Sequence, residues 1–301
     1  MFGLKQKKVM AVHSGEFHAD DVFAVATIML AFPKWRISVL RTRDDSKILK
    51  ADIVADVGGV FSPLTMRFDH HQTGGAGMRG NGIPFASFGL VWKEFGEKIC
   101  GNIDVANEID RSLVSPIDAS DNGILVSRPV TEGVYPYLIE YYIYSFRPTW
   151  RENENDIDSA FLRAVTFAKN MLAREIIKVS AMIDARAKVR AIYESSTDKS
   201  VIVFDDKYPW EAVSVLSEYP EPLFTLCPNP GDGFWHAKCV RNGSHTFENR
   251  RSFPASWAGK RDGDLANITG VEDAVFCHNK LFLAVAKTKE GGLKLIEKAL
   301  I

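Results

Sequence analysis

Three short apolar runs near the start of the chain each break off at a polar cluster, and this pattern constrains the fold more than anything else in the sequence. Residues 9–12 stop at His13. Residues 37–40 stop at Arg41, Thr42, Arg43 and Asp44. Residues 52–57, with Asp56 near their end, stop at Gly58 and Gly59. Between the first two runs, residues 20–32 are dense in apolar side chains, with Asp20 placed to cap a helix and Pro33 placed to stop it. Strand–helix–strand alternation with mostly apolar strands predicts a parallel sheet. Open α/β sheets take ligands at the carboxyl ends of their strands. His13, Asp56 and the triplet Asp69-His70-His71 all fall at such ends, so one site can collect them.

Further along, residues 84–100 and 103–114 read as helices. A glycine-rich stretch at 74–82 lacks the G-x-G-x-x-G phosphate pattern; it reads as a flexible loop or a substrate flap. Apolar residues at 162, 165, 172, 176, 179 and 183 predict a long amphipathic helix. It carries seven Lys/Arg against two acidic residues from Arg163 to Arg190, which suits a solvated basic face or one turned to nucleic acid. A strand is expected at 201–204, and the chain from there to Phe282 is rich in Trp, Phe, Pro and Gly. The expected organisation is a metal-binding catalytic domain at 1–155, a linking helix at 156–195 and a smaller α/β second domain at 196–301.

The 301 residues are 46% hydrophobic and 25% charged, which supplies a core and excludes wholesale disorder. The net charge of −1 excludes a basic nucleic-acid coat, so any nucleic-acid surface must be a local patch. Cys100, Cys227, Cys239 and Cys277 form no C-x-x-C pair and read as buried thiols in a reducing compartment, hence the cytoplasm. The basic start has no apolar run behind it, so no secretory signal is expected; an organelle stays open. No apolar run reaches the ~18 residues of a membrane span.

Four of the seven histidines lie in the first 71 residues, all in acid-rich clusters. Imidazole and carboxylate without cysteine suit Mn²⁺, Fe²⁺ or Zn²⁺, and several such clusters suggest two ions. His13, His18 and Asp20 can point into one cleft. Asp56, at the end of a buried run, is costly unless paired or metal-bound. In an extended Asp69-His70-His71 the two rings point oppositely. That suggests His70 as ligand and His71 as a substrate-facing group, with Asp69 on metal or orienting an imidazole. Asp118 and Asp121 share a face of a helical turn, and either can close the shell.

The order of these motifs resembles the DHH phosphoesterase superfamily and, more closely, the melanocyte-proliferating-gene family of metal-dependent hydrolases described as RNA exonucleases. The resemblance rests on HSGEFHADD (13–21), RTRD (41–44), DIVADVGG (52–59), RFDHHQ (67–72), DASDNG (118–123) and HTFENRRSFPASWAGKRDGDL (245–265). It implies metal ligation by His13, His18, Asp20, Asp56, His70 and Asp121, with Asp56 bridging and Asp118 a rival to Asp121. It implies that His71 contacts the substrate, and His71 and Asp69 are the candidate catalytic residues. His18 stands where many relatives carry aspartate, which bears on the choice of metal. The implied fold is a DHH-phosphoesterase-like parallel-sheet domain, a linking helix and a second domain.

The second half departs from those relatives in lacking their glycine-rich motif ending in histidine. Lys238 to Arg261 instead carries six Lys/Arg and one glutamate, interleaved with His245, Phe247, Phe253 and Trp257. Cations with exposed aromatics suit single-stranded nucleic acid, although the rings can equally be core. The expectation is a hydrolase with two Mn²⁺ ions, or Mg²⁺ or Zn²⁺, acting from an end on single-stranded RNA or DNA. Arg41, Arg43, His245, Arg250 and Arg251 are the candidate phosphate contacts. A small-molecule phosphohydrolase for nucleotides, cyclic dinucleotides or pyrophosphate is the first alternative, and a metal-stabilised binding protein the second. The sequence leaves the oligomeric state open, with a homodimer among the choices.

Overall fold

The apolar run that stops at His13 forms β1 (Gln6–Val12), which pairs in parallel with β2 (Trp35–Arg41) and β3 (Ile53–Ala55). β5 (Arg67–Phe68) runs parallel to β3, and β4 (Phe61–Ser62) lies antiparallel at the edge, giving the order β2-β1-β3-β5-β4. β1 is exposed at its start and fully buried at its end, as is all of β3, so the strands deliver their last residues into the interior. The computed structural model describes residues 6–153, 156–243 and 246–301.

α1 (Ala19–Ala31) follows β1. Its N-cap is His18 rather than the expected Asp20. Asp21, at the third helical position, accepts the His18 backbone N–H at 3.0 Å, closing a capping box. Asp20 therefore sits inside the first turn. After α2 (Asp45–Ile48), α3 (Ser87–Cys100) ends at Gly101, whose φ of 68° stops the helix in the left-handed conformation. The helix expected at 103–114 is longer and irregular. α4 (Ile103–Ile109) passes through a π-helical turn, Asp110–Val114, into α5 (Ser115–Asp121), where Pro116 is tolerated in the first turn. Residues 124–138 form neither helix nor strand and expose Leu125, Val130, Tyr135 and Tyr137. α6 (Ile139–Tyr144) follows them.

The chain divides into two compact units, Met1–Ser180 and Ala181–Ile301, and the division falls inside α7 (Ile157–Ser195). In the first unit, α7 buries Phe161, Ala164, Val165, Ala168 and Leu172. Val165 and Leu172 of the sequence stripe are buried, whereas Leu162 is 48% exposed and Phe161 takes its place on the buried face. In the second unit, Val189 and Tyr193 pack with Ile202, Phe204 and Leu216.

The second unit's sheet comprises β6 (Val201–Val203), β7 (Phe224–Asn229), β8 (Phe234–Cys239), β9 (Ala274–Cys277) and β10 (Leu283–Ala286), in the order β6-β7-β8-β10-β9. Only β6 and β7 pair in parallel; the other pairs are antiparallel. Helices α8 (Trp210–Val213), α9 (Asp262–Thr269) and α10 (Lys289–Leu300) complete it. Phe253 and Trp257, candidate stacking residues from the sequence, are only 2% and 4% exposed and belong to this unit's core with Phe224 and Leu295. The four cysteines are free, and burial pushes the Cys239 thiol up to about 12. Among the described residues, no helix is long and apolar enough to cross a membrane.

Candidate metal centre

The strand register aligns the site. Met10 pairs with Ile53 in one ladder, and Val54 with Arg67 in the next. Carried past the strand ends, the same offsets bring His13, Asp56 and Asp69 into one row at the carboxyl edge of the sheet. Asp56 holds φ at 55°, a left-handed conformation rare outside glycine, which turns its carboxylate inward ahead of Gly58 and Gly59. Together with the first turn of α1 and the end of α5, this edge lines a cleft of about 600 Å³ that includes His13, His18, Arg43, Asp56, His70, His71, Asp121 and Asn122.

Within it, His13 Nε2 lies 3.1 Å from Asp21 Oδ2 and 3.2 Å from Asp56 Oδ2. His70 Nε2 lies 3.4 Å from Asp56 Oδ1 and 3.2 Å from Asp121 Oδ2. These are close approaches without hydrogen-bond alignment. His13 Nε2, both Asp20 oxygens, Asp21 Oδ2 and His70 Nε2 are buried and have no hydrogen-bond partner. Buried polar atoms left without partners are costly, and five of them converging point to a cation. Three sets of donor atoms could hold an ion: His13, His18 and Asp56; Asp56, His70 and His71; His18, Asp20 and Asp121. Asp56 and His18 each stand in two of the three sets, as donors shared between neighbouring ions would.

The electrostatics agree with this fit. Burial pushes Asp20 well above the usual carboxylate range, and the Asp56 and Asp121 carboxylates push it the same way. Burial and Asp56 raise Asp121 too. Burial also opposes charge on Asp56, but the imidazoles of His13 and His70 outweigh it and hold that carboxyl low. Burial works against a charged His13 as well, yet Asp21 and Asp56 bring it up to about 10. Carboxylates crowded against one another are what bound divalent ions relieve. His13 Nδ1 faces the Ser14 carbonyl at 3.2 Å, an outer contact that leaves Nε2 free to ligate.

The His71 ring lies 4.3 Å from that of His70 rather than opposite to it, within reach of the Asp56 and His70 set, but it differs in exposure and partner. Its side chain is 61% exposed, and Nδ1 is 2.7 Å from Asp69 Oδ1. Asp69 is buried and also accepts the backbone N–H groups of Gly59, His70 and His71 at 2.5, 2.8 and 3.2 Å. Both its oxygens are engaged in holding the triplet and the Gly59 turn, and it stands in none of the three donor sets. The hydrogen bond to Asp69 raises the His71 pKa, against a smaller opposing effect of burial.

The two rivals on α5 are placed differently. Asp118 is fully buried, accepts from Arg79 Nη1 at 2.7 Å and from the Gly89 N–H at 3.0 Å, so it serves the packing. Asp121 lines the cleft.

Of the candidate phosphate contacts, Arg43 is exposed in the cleft, with Nε on the Ser14 carbonyl at 3.2 Å. Arg41 is withdrawn. Its side chain is 3% exposed, it bonds Asp158 at 2.7 Å and the Gly15 carbonyl, and it lies 4.9 Å over the Phe161 ring. Arg250 braces the carbonyls of Ser217, Tyr219 and Pro222, because a loop buried there needs donors for those oxygens. Arg251 is exposed and bonds the Ala299 carbonyl at 3.0 Å. His245 lies outside the described residues.

Four residues at or behind the centre escaped the sequence reading. Asp21 could have been found as an acidic residue three positions after a cap. Tyr144 packs 6.3 Å from His18, edge to face, with Arg147 4.0 Å over its ring. Arg147 also bonds Glu16 and the Phe17 carbonyl, bracing the loop between β1 and α1. Arg79, in the glycine-rich loop, is buried against Asp110 and Asp118. No local pattern marks Tyr144, Arg147 or Arg79, because the groups that tie them to the site, His18, Glu16, Phe17 and Asp118, are distant in sequence.

A largely parallel α/β sheet with an imidazole–carboxylate cleft at its carboxyl edge defines the class: an α/β protein whose clustered donor atoms could hold metal. Residues 9–300 match the MYG1 exonuclease family (MYG1_exonuc), described as an uncharacterised protein family (UPF0160), and the chain belongs to that family. It is 28% identical to MYG1 protein C27H6.8 of Caenorhabditis elegans, over 97% of this chain and 95% of that one. It is 28% identical to the MYG1 exonuclease of Homo sapiens, over 97% and 85%. The MYG1 protein of Chlamydia pneumoniae is 31% identical over 93% and 92%. Among solved structures, a pGpG-specific phosphodiesterase, PggH, from Vibrio cholerae is similar with a TM-score of 0.32 and 12% identity, covering 98% of this chain and 97% of that one. RecJ of Thermus thermophilus in complex with Mn²⁺ gives 0.29 and 12%, covering 99% and 53%.

Proposed function

We propose that this chain is a divalent-metal-dependent phosphodiester hydrolase that shortens single-stranded RNA or DNA from an end. The observation that carries the reading is the cleft in which His13, His18, Asp20, Asp56, His70 and Asp121 leave donor atoms within reach of one another and several without partners. The exonuclease name borne by the human relative agrees with it. Two divalent ions, which these six residues would hold, would supply a water deprotonated near neutral pH and positive charge for the phosphoryl oxygens. Mn²⁺ suits the mixed imidazole and carboxylate set.

The chain's own groups do the rest. Asp69 fixes the His71 ring through Nδ1, leaving Nε2 to meet substrate, and keeps the ring protonated to higher pH. A protonated Nε2 can then give its proton to the departing oxygen. Arg43, exposed at the cleft wall, can take a phosphate oxygen.

A small nucleotide or dinucleotide substrate is the second reading, since about 600 Å³ lies in the range of small-ligand sites. One experiment separates them: purified protein with Mn²⁺, offered labelled single strands of graded length, dinucleotides and pyrophosphate in parallel. Rates that rise with strand length support the exonuclease. Turnover of dinucleotides alone selects the small-molecule enzyme. Tight metal retention with no turnover of any substrate leaves a metal-stabilised binding protein.

A further inference from the structure

The second unit carries an aromatic–cation stack that its fold does not require. Arg241, just past β8, places its guanidinium carbon 4.4 Å from the Trp210 ring centroid and 4.6 Å from that of Phe247. The two rings come from separate segments, α8 and the stretch after β8. Phe247 is 87% exposed. A ring that has a guanidinium on one face and is still this exposed must present its other face to solvent. Arg241 forms no ion pair with a described carboxylate, whereas Arg41, Arg79 and Arg147 of the first unit each do.

The other aromatics of this region are committed elsewhere. Phe253 and Trp257 are core, and Arg250 is spent on three carbonyls. Burial of hydrophobic surface therefore explains Phe253 and Trp257 but leaves Phe247 and Arg241 unexplained. A planar guanidinium held between two rings keeps its N–H edge outward, where a phosphate can meet it. An open aromatic face beside a cation held in this way is the arrangement on which a base stacks while its phosphate is neutralised.

We infer that Trp210, Arg241 and Phe247 form a stacking platform for one nucleotide of a single-stranded nucleic acid, with the base on the outer face of Phe247 and its phosphate on the edge of Arg241. This rests on the reading of the chain as a nucleic-acid hydrolase, and it adds a contact made by the second unit. The platform is indifferent to base identity, because every base has a π face.

The test uses the full chain and two separate readouts. Binding of a fluorescein-labelled twelve-nucleotide single-stranded RNA is measured in EDTA, and hydrolysis of bis(p-nitrophenyl) phosphate is measured with Mn²⁺. Phe247→Ala removes an exposed ring and should leave the melting temperature unchanged. It should weaken strand binding about 5- to 150-fold, the range for loss of one stacked base, and leave hydrolysis of the small diester as in wild type. Arg241→Lys keeps the charge but not the plane, and should weaken the strand as well. Strand binding by Phe247→Ala equal to wild type, in a folded variant, overturns the platform and leaves the hydrolase reading standing. A wild-type chain that binds no strand overturns the platform and the single-strand substrate together, and leaves only the small-molecule hydrolase. A wild-type chain that hydrolyses no phosphodiester, while Phe247→Ala still loses the strand, overturns the catalytic reading and supports the platform.

Discussion

Replacing Arg79 by Met should weaken the first unit by about 3–5 kcal/mol, the usual cost of stripping one partner from a buried ion pair. The magnitude follows from what is left behind. Arg79 donates to Asp110 at 2.9 and 2.7 Å and to Asp118 at 2.7 Å, with its own side chain 8% exposed. Asp110 is 30% exposed and can recover water, so its loss is small. Asp118 is fully buried and keeps the Gly89 N–H but no cation. One uncompensated carboxylate, not two, sets the cost. The pH dependence gives the sign. Burial already pushes Asp118 up to about 7, against 3.8 in an unfolded chain. A carboxyl raised in this way adds stability that is fully present below 3.8 and lost as pH rises through about 7. Without Arg79 it rises further, so the variant's deficit should be larger at about pH 8 than at about pH 5. Hydrogen exchange of α3 and α5 amides at the two pH values, corrected for intrinsic rates, measures it. A deficit below about 1 kcal/mol, or an equal one at both pH values, would refute the reasoning.

Four further outcomes follow from the same geometry. His70→Ala should lose bound metal, whereas His71→Ala should keep it and slow turnover about 10²- to 10⁴-fold, as expected for a lost general acid; equal metal loss in both contradicts the division. Asp69→Asn removes the carboxylate that raises the His71 pKa, so the alkaline limb of kcat/KM should move to lower pH; an unmoved limb detaches His71 from proton transfer. Trp257→Ala should destabilise the second unit by about 3–5 kcal/mol as a core truncation, read by exchange of β8 and β10; a wild-type profile with weakened strand binding would return Trp257 to the substrate. Limited proteolysis should cut within 124–138 before it cuts α3 or α7, because that stretch exposes its side chains and few of its backbone groups are paired; first cuts in α3 would contradict this.

The parallel sheet was legible because the buried ends of β1 and β3 are apolar and the polar site residues follow directly after them. His13, Asp56 and His70 were legible for the same reason: each closely follows a buried run. Arg41 was misread because charge in sequence says nothing about which way a side chain turns, and the rings that receive it, Phe17 and Phe161, lie on distant segments. The same holds for Arg79, whose glycine-rich surroundings suggested freedom while its guanidinium is pinned to Asp110 and Asp118. Asp118 and Asp121 could not be separated by spacing alone. Only the approach of α3, where a Cβ on Gly89 would overlap Asp118, shows that Asp118 faces inward to packing. In the second unit, aromatics near cations looked alike in sequence. Burial divides them into core, as for Phe253 and Trp257, and surface, as for Phe247.

The central claim is that this cleft cleaves phosphodiesters with the metal that its imidazoles and carboxylates hold. It is tested most directly by titrating Mn²⁺ into metal-stripped protein with an end-labelled single-stranded RNA, beside Asp56→Asn. The expected result is an intact strand without metal, progressive shortening from one end as Mn²⁺ is added, and almost none with Asp56→Asn. An intact strand at saturating Mn²⁺ and Mg²⁺, or equal shortening by Asp56→Asn, would contradict the account.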